Sequence, residues 1–301
     1  MTTISVENIE KKYGNIHALE NVSFQVNRGE LFGLIGPDGA GKTSLFRILA
    51  TLQLPDNGFA RINGKDTVVD FEEIRKTIGY MPGRFSLYQD LTVQENLRFF
   101  ADVFSTTIES NYAVIKDIYS QIEPFKTRRA GNLSGGMKQK LALCCALIHK
   151  PDVLILDEPT TGVDPVSRKE FWGILQELKR QGITIIVSTP YMDEASLCDR
   201  IALIQSGRIL SIDTPEKIIS NYPYKLYAVK SNDNYTLLEN LRKQRNVHNC
   251  YIFGEYLHVV FNSESEINAD ILEKKEIKPT IEDCFMQLME QSLNPVCDEC
   301  N

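Results

Sequence analysis

No run in this sequence approaches the roughly 20 consecutive apolar residues that a membrane-spanning helix needs. The first residues, MTTISVENIEKKYG, lack a basic start followed by an apolar core, so no signal peptide is expected. Basic residues are outnumbered: 33 Lys and Arg face 40 Asp and Glu, for a net charge of -7, with no long basic stretch. A nucleic-acid partner normally leaves a basic face, so this balance argues against one. The seven cysteines are scattered and odd in number, which suits reduced thiols in a cytoplasm. One CxxC occurs, Cys297 with Cys300, and no second pair completes the four ligands that zinc takes. Residues 293–301 therefore read as a flexible tail. There is no internal repeat and no low-complexity segment.

What is present is an ordinary globular composition, 43% hydrophobic and 24% charged over 301 residues, enough for one large domain or two smaller ones. Its most specific feature is GPDGAGKTS, Gly36–Ser44, which follows the apolar run LFGLI and precedes SLFRILATL. This strand–loop–helix order is what a G-x-x-x-x-G-K-[ST] phosphate loop requires. Gly36, Gly39 and Gly41 let the backbone curl, and with Asp38, Ala40 and Ser44 they form the lip of a phosphate cradle. Lys42 reaches the β- and γ-phosphates, the Thr43 hydroxyl can ligate Mg²⁺, and the helix N-terminus adds partial positive charge. The expected ligand is a nucleoside triphosphate.

Residues 1–30 alternate polar and apolar and predict antiparallel strands, followed by two hairpin-type turn signals, Asn57-Gly58 and Asn63-Gly64. From about Arg84 to Lys150 the apolar spacing is helical. VLILDEP and ITIIVSTP are short β-branched runs separated by a helix, which implies parallel strands with crossover connections, and RIALIQSGRILSIDTP reads as a closing edge hairpin. Beyond Pro215–Pro223 the pattern becomes strand, helix, hairpin, helix. The expected organisation is a nucleotide-binding unit over 1–222, with a helical part at about 84–150, and a small α+β appendage over 223–292.

VLILDEP ends in two adjacent carboxylates. Asp157 is placed to hold Mg²⁺ through water, and Glu158 to act as a general base, worth about 10²–10⁴ in rate. LSGGMKQK supplies Ser134, Gly135 and Gly136 at the start of a second helix, and hence a second group of free N–H donors. One phosphate loop has no use for two such sites unless another subunit's nucleotide docks on the second.

Together these segments resemble the ATP-binding cassette (ABC) family over about residues 3–220. GPDGAGKT is similar to its Walker A motif, LSGGMKQ to its signature, VLILDEP to Walker B, and TTGVDP, with Asp164, to its D-loop. Tyr13 falls where the family has an aromatic residue that stacks on adenine. The resemblance implies an α/β cassette with a mixed-sheet core, an antiparallel β subdomain and a helical signature subdomain. It also implies a head-to-tail dimer, homomeric or heteromeric, with two ATPs held between Walker A of one cassette and the signature of the other. Closure on ATP and opening after hydrolysis would drive a separate polytopic membrane permease from the inner face of the membrane. STPYMDEAS, FSLYQDLTVQENL and PTIEDCFMQLME are similar to the exporter branch that works with type-2 permeases, and Arg84–Val93 would receive the permease. A soluble ABC ATPase of translation or repair would need two cassettes or a long coiled coil, and neither is visible.

Three positions depart from the family pattern. Gly83 stands where a glutamine is usual, Pro190 where a histidine is usual, and Asp38 where asparagine is usual. Gly83 has no side chain and Pro190 has no donor at all. None of the four histidines, His17, His149, His248 and His258, lies in an ATP-site motif. The alternatives are a slow but competent ATPase, the degenerate half of an asymmetric pair, and a nucleotide-gated scaffold. The transported substance is not legible.

Overall fold

A computed structural model of the chain describes residues 1–262 and 271–293. Of the tail expected over 293–301, Leu293 instead ends the last helix, and 294–301, with Cys297 and Cys300, lie outside the described residues. The chain forms two compact units: Met1–Pro215 with residues 288–293, and Glu216–Gln287.

The first unit is built on two sheets. β1 (Thr2–Tyr13) and β2 (Ile16–Asn27) pair antiparallel as their polar–apolar alternation predicts, and β4 (Asn57–Ile62) and β5 (Lys65–Asp66) complete a four-stranded sheet in the order β2-β1-β4-β5. Asn63-Gly64 makes the β4–β5 turn. Asn57-Gly58 does not make a turn; it opens β4 itself. The reason is a register shift in β1 around Asn8, whose φ is 51°. A Cβ on Gly58 would lie 2.2 Å from the Asn8 carbonyl oxygen, so the glycine is there for close backbone approach.

The second sheet has the order β10-β9-β3-β8-β7-β6, formed from β3 (Leu31–Ile35), β6 (Ile78–Met81), β7 (Val153–Asp157), β8 (Thr184–Thr189), β9 (Arg200–Gln205) and β10 (Arg208–Asp213). All are parallel except β10, which closes the edge as an antiparallel hairpin partner of β9. β3, β7 and β8 are buried at every position, as continuous apolar parallel strands must be when helices cover both faces. α1 (Lys42–Leu49) inserts Phe46, Ile48 and Leu49 into the apolar core between the sheets. Each such side chain contributes about 1.5–3 kcal/mol by leaving water. α2 (Phe71–Thr77) leads into β6; neither is evident in the sequence pattern.

The helical part comprises α3 (Val93–Val103), α4 (Ile108–Tyr119) and α5 (Gly135–Leu147), with α3 and α4 packed on α5. Reciprocal capping boxes, Thr92 with Glu95 and Thr107 with Ser110, fix where α3 and α4 start. α6 (Pro165–Arg180) crosses from β7 to β8. α7 (Pro215–Ser220) follows β10.

In the second unit β11 (Leu226–Lys230), α8 (Asn234–Arg242), β12 (Val247–Phe253) and β13 (Tyr256–Phe261) follow the expected strand, helix and hairpin, and α9 (Ile281–Leu293) the expected helix. β14 (Glu273–Ile277) was not legible, because EKKEI carries four charges. It pairs with β11 at the sheet edge, where charged side chains stay in water and block further pairing. Val229, Leu237, Leu241, Leu257 and Val259 form this unit's own core.

Candidate functional site

The strand order assembles the site. β3, β8 and β7 are neighbours and run parallel, so their carboxyl ends deliver the phosphate loop, Ser188-Thr189 and Asp157-Glu158 to one edge of the sheet. β6, beside β7, adds Gly83 just past its end. Ligands of such sheets bind outside these strand ends.

The 36–41 loop passes from β3 to α1, which starts with no side-chain cap. Gly41 has a φ of 103°, and a Cβ there would sit 2.2 Å from the Ala18 carbonyl oxygen. Gly39 and the Asp38 side chain are exposed, while Gly36 and Ala40 are buried. Lys42 is 3% exposed, and its ammonium donates to the carbonyls of Gly36 (2.7 Å) and Pro37 (2.9 Å). It also lies 3.1 Å from Glu158 Oε1. A buried cation with two carbonyls and one carboxylate is poised for exchange with the oxygens of a phosphate.

Asp157 is 2% exposed. Its Oδ1 accepts from Ser188 Oγ (2.8 Å) and Thr43 Oγ1 (3.3 Å). Burial raises its pKa, against the two hydroxyl hydrogen bonds that lower it, while Glu158 pushes it further up and Lys42 down. Glu158 follows at a φ of 49°, and its N–H donates to Ser188 Oγ (2.9 Å) and to the Ser188 carbonyl (3.1 Å). Sequence reasoning passed over Ser188. It stands near the end of ITIIVSTP, two residues before Pro190, but only the β7–β8 register shows that it serves the Asp157 carboxylate and the Glu158 backbone N–H. Tyr80, Arg47 and Arg84 were also missed; they line a cleft of about 640 Å³ with Thr43, Asp157 and Glu158. Burial, with Asp157 nearby, raises the Tyr80 phenol to about 12, while Arg47 opposes the shift.

Tyr13 ends β1 and is 45% exposed. Its hydroxyl donates to Gln53 Oε1 (2.8 Å) and lies 3.3 Å from Ser44 Oγ, which places the hydroxyl at the start of α1. Ser134 caps α5, with the Met137 N–H donating to its Oγ at 3.4 Å, and Ser134 and Gly135 face solvent. Asp164 caps α6, with Ser167 N–H donating to Oδ1 at 2.9 Å. That backbone bond lowers its pKa. The two helix starts are adjacent, since a Cβ on Gly136 would lie 2.5 Å from Ser167 Oγ.

The unusual positions fall where the motifs imply. A Cβ on Gly83 would sit 3.1 Å from the Asp157 carbonyl oxygen and 3.7 Å from its Oδ2. Pro190 follows Thr189 at the end of β8. No histidine replaces it: His149 stacks on Phe104 at 3.7 Å and bonds the Ile78 carbonyl at 2.9 Å. Beside it, an apolar groove of about 420 Å³ is lined by Leu87, Phe100, Phe104, Ala142 and Cys145. Among the described residues there is no His/Cys/Asp/Glu group suited to a metal ion, and no helix is long and apolar enough to cross a membrane.

Fold and site together define an α/β phosphate-loop nucleotide-binding protein with a second helix N-terminus of the kind that binds phosphate. The family model described as ABC transporter matches residues 19–161. The chain is 36% identical over 304 residues to the probable multidrug ABC transporter ATP-binding protein YbhF of Escherichia coli (strain K12), covering 95% of this chain and 52% of that protein. It thus spans about half the length of that relative. It is 33% identical to the Nod factor export ATP-binding protein I of Rhizobium sp. (strain N33), covering 95% and 96%. Among solved structures, a dimeric bacterial ABC transporter cassette superposes with a TM-score of 0.64 at 26% identity, covering 70% of this chain and 98% of that one. The chain belongs to the ABC transporter ATP-binding protein family.

Proposed function

We propose that this chain is the ATP-binding and ATP-hydrolysing subunit of an exporter whose permease is a separate polytopic membrane protein. The observation that carries the reading is the buried Lys42 ammonium, held in the curl of the phosphate loop beside Asp157 and Glu158. In this reading the backbone of residues 36–44 cradles the phosphates, Tyr13 stacks on adenine, and Glu158 draws the proton from the attacking water. Thr43 Oγ1 and Asp157 offer the hard oxygen ligands that Mg²⁺ takes, and they already lie together. Mg²⁺ would neutralise charge building on the phosphates.

The export names of the relatives favour an exporter. The dimeric cassette among similar structures favours pairing with a second cassette. Ser134, Gly135 and Asp164 would then face the partner's nucleotide, and the exposed α5 start supports this. The groove beside Leu87 and Phe104 suits the permease segment expected against Arg84–Val93. Placement on the cytoplasmic face follows from ATP use, and the acidic balance speaks against nucleic acid. Residues 1–222 would work as the cassette and 223–292 as an accessory domain. Expression with a permease should yield a stable complex whose ATPase exceeds that of the chain alone; no binding to any polytopic membrane protein would refute the transport reading.

A second reading rests on Gly83 and Pro190. Both remove a polar side chain from around the γ-phosphate, which suits the slower half of an asymmetric pair. Turnover in a mixed dimer with a cassette carrying both glutamine and histidine would distinguish the two.

A further inference from the structure

One buried carboxylate beside the site takes no part in the catalysis proposed above. Glu194 is 2% exposed and accepts from two hydroxyls: Thr160 Oγ1, at 2.9 Å to Oε1 and 3.2 Å to Oε2, and Thr189 Oγ1, at 2.5 Å to Oε2. The Thr189 hydroxyl in turn accepts the Tyr191 N–H at 3.0 Å, the first backbone donor after Pro190. Thr160 belongs to the loop from Glu158 to Asp164, and Thr189 ends β8. A single side chain therefore ties the loop of the expected base to the segment where a histidine would meet the γ-phosphate.

Arg168 repeats the connection. It lies in the first turns of α6, the helix capped by Asp164. Its guanidinium sits 4.6 Å over the Tyr191 ring, 3.6 Å from Asp193 and 3.8 Å from Glu194. Burying a carboxylate is costly, and an apolar side chain of similar size would pack without that cost. What the apolar residue cannot do is fix two loops in one register through directional bonds.

We infer that Glu194 is a positioning residue for hydrolysis: it clamps the 158–164 loop to the 189–194 segment, so that the two move as one body. This rests on the ATPase reading above. Where Pro190 cannot touch phosphate, the clamp fixes the end of β8 against the loop of Glu158 by internal hydrogen bonds. Glu194 itself makes no bond to the phosphate cradle, which, among the described residues, meets the clamped segments at two points only: the Gly36 N–H donates to the Thr189 carbonyl at 3.2 Å, and Lys42 pairs with Glu158 at 3.1 Å.

The test compares Glu194→Ala and Glu194→Gln in the full chain, with Thr160→Val and Thr189→Val as single-hydroxyl deletions. Glu194→Ala is expected to lower kcat by about 10- to 100-fold, the scale of a misplaced catalytic group. KM for ATP should stay within about threefold, since ground-state binding is untouched. Glu194→Gln keeps an oxygen for both threonines and should recover most of kcat. Hydrogen exchange, which needs no turnover, should rise together in 158–164 and 189–194 of Glu194→Ala and stay unchanged in 39–44, past the Gly36 N–H that bonds the Thr189 carbonyl. Equal exchange with the wild type, or a rise in 189–194 alone, overturns the clamp. So does unaltered kcat, or parallel loss of kcat, nucleotide affinity and melting temperature that Glu194→Gln does not rescue. If Glu194→Ala does not fold, Thr160→Val and Thr189→Val must each show the joint rise in exchange, or the clamp is wrong. A wild-type chain with no ATPase, alone or with its permease, counts against the ATPase reading, while the exchange result still judges the clamp.

Discussion

Lys42 Nζ lies 3.1 Å from Glu158 Oε1, so the cation of the phosphate loop and the expected general base neutralise each other across the site. A bound triphosphate would compete for the same ammonium and free the carboxylate to face water. On the proposed reading, one ion pair would couple nucleotide binding to the arming of the base.

Lys42→Ala should weaken ATP binding by about 1.5–3 kcal/mol, the scale of a hydrogen bond to a charged group. It also leaves Glu158 without its partner. Titration with a fluorescent nucleotide checks this, and unchanged affinity would contradict the phosphate placement.

Glu158→Gln should trap an ATP-bound dimer. The amide cannot take a proton from water, while the Lys42 cradle and the Ser134 helix start remain. Size-exclusion chromatography with ATP and Mg²⁺ should show the dimer, alone or with the proper second cassette. Monomer in both conditions would remove the sandwich arrangement.

Turnover of the unmodified chain should be weak, because losing one preorganised donor can cost about 10²–10³ in rate. Gly83→Gln with Pro190→His should raise it more than either change alone. The 3.1 Å gap from a Cβ at position 83 to the Asp157 carbonyl means that the backbone must give by a few tenths of an ångström, so melting temperatures of the variants are measured alongside. Steady-state ATPase of the four proteins decides; ordinary turnover of the wild-type homodimer would mean that other groups fill both roles.

A pH effect is expected in the second unit. Asp283 is buried, which raises its pKa, yet bonds from His258, Thr280 and Tyr251 outweigh burial and hold it below its ordinary value. His258 Nδ1 lies 2.6 Å from Oδ1, and Thr280 N–H and Oγ1 both donate to Oδ2 at 2.6 Å. A carboxyl with a lowered folded-state pKa gives stability that is complete above the unfolded value, about 3.9, and is lost as pH falls through the folded one. Asp283→Asn should lower the melting temperature at neutral pH and narrow its gap to the wild type in acid. Melting curves that stay parallel down to acid pH would show that the charge contributes nothing.

How much was legible follows from where each part lies in the chain. The phosphate loop, the Asp157-Glu158 pair and the Ser134 helix start are contiguous, and local backbone chemistry names them: glycines for a tight curl, a lysine at the helix start, small residues before a helix. The same locality made β3, β7 and β8 readable as apolar runs and the region of α3 as helical from its apolar spacing. Composition misled where packing outweighs propensity. Asn57-Gly58 reads as a turn, but the bulge at Asn8 draws it into β4. EKKEI carries no apolar pattern to mark a strand, but β11 offers it an edge with its charges in water.

Only tertiary structure could bring Lys42 to Glu158, Ser188 to Asp157, or Thr160 and Thr189 to one carboxylate at Glu194. Ser188 and Asp157 are 31 residues apart in sequence, and their bond exists because β7 and β8 are parallel neighbours in one register. The sequence by itself determined which phosphate chemistry is present, since that depends on residues a few positions apart. Strand order determined which charges meet, because pairing across a sheet is fixed by the packing of whole strands and leaves no local mark in the chain.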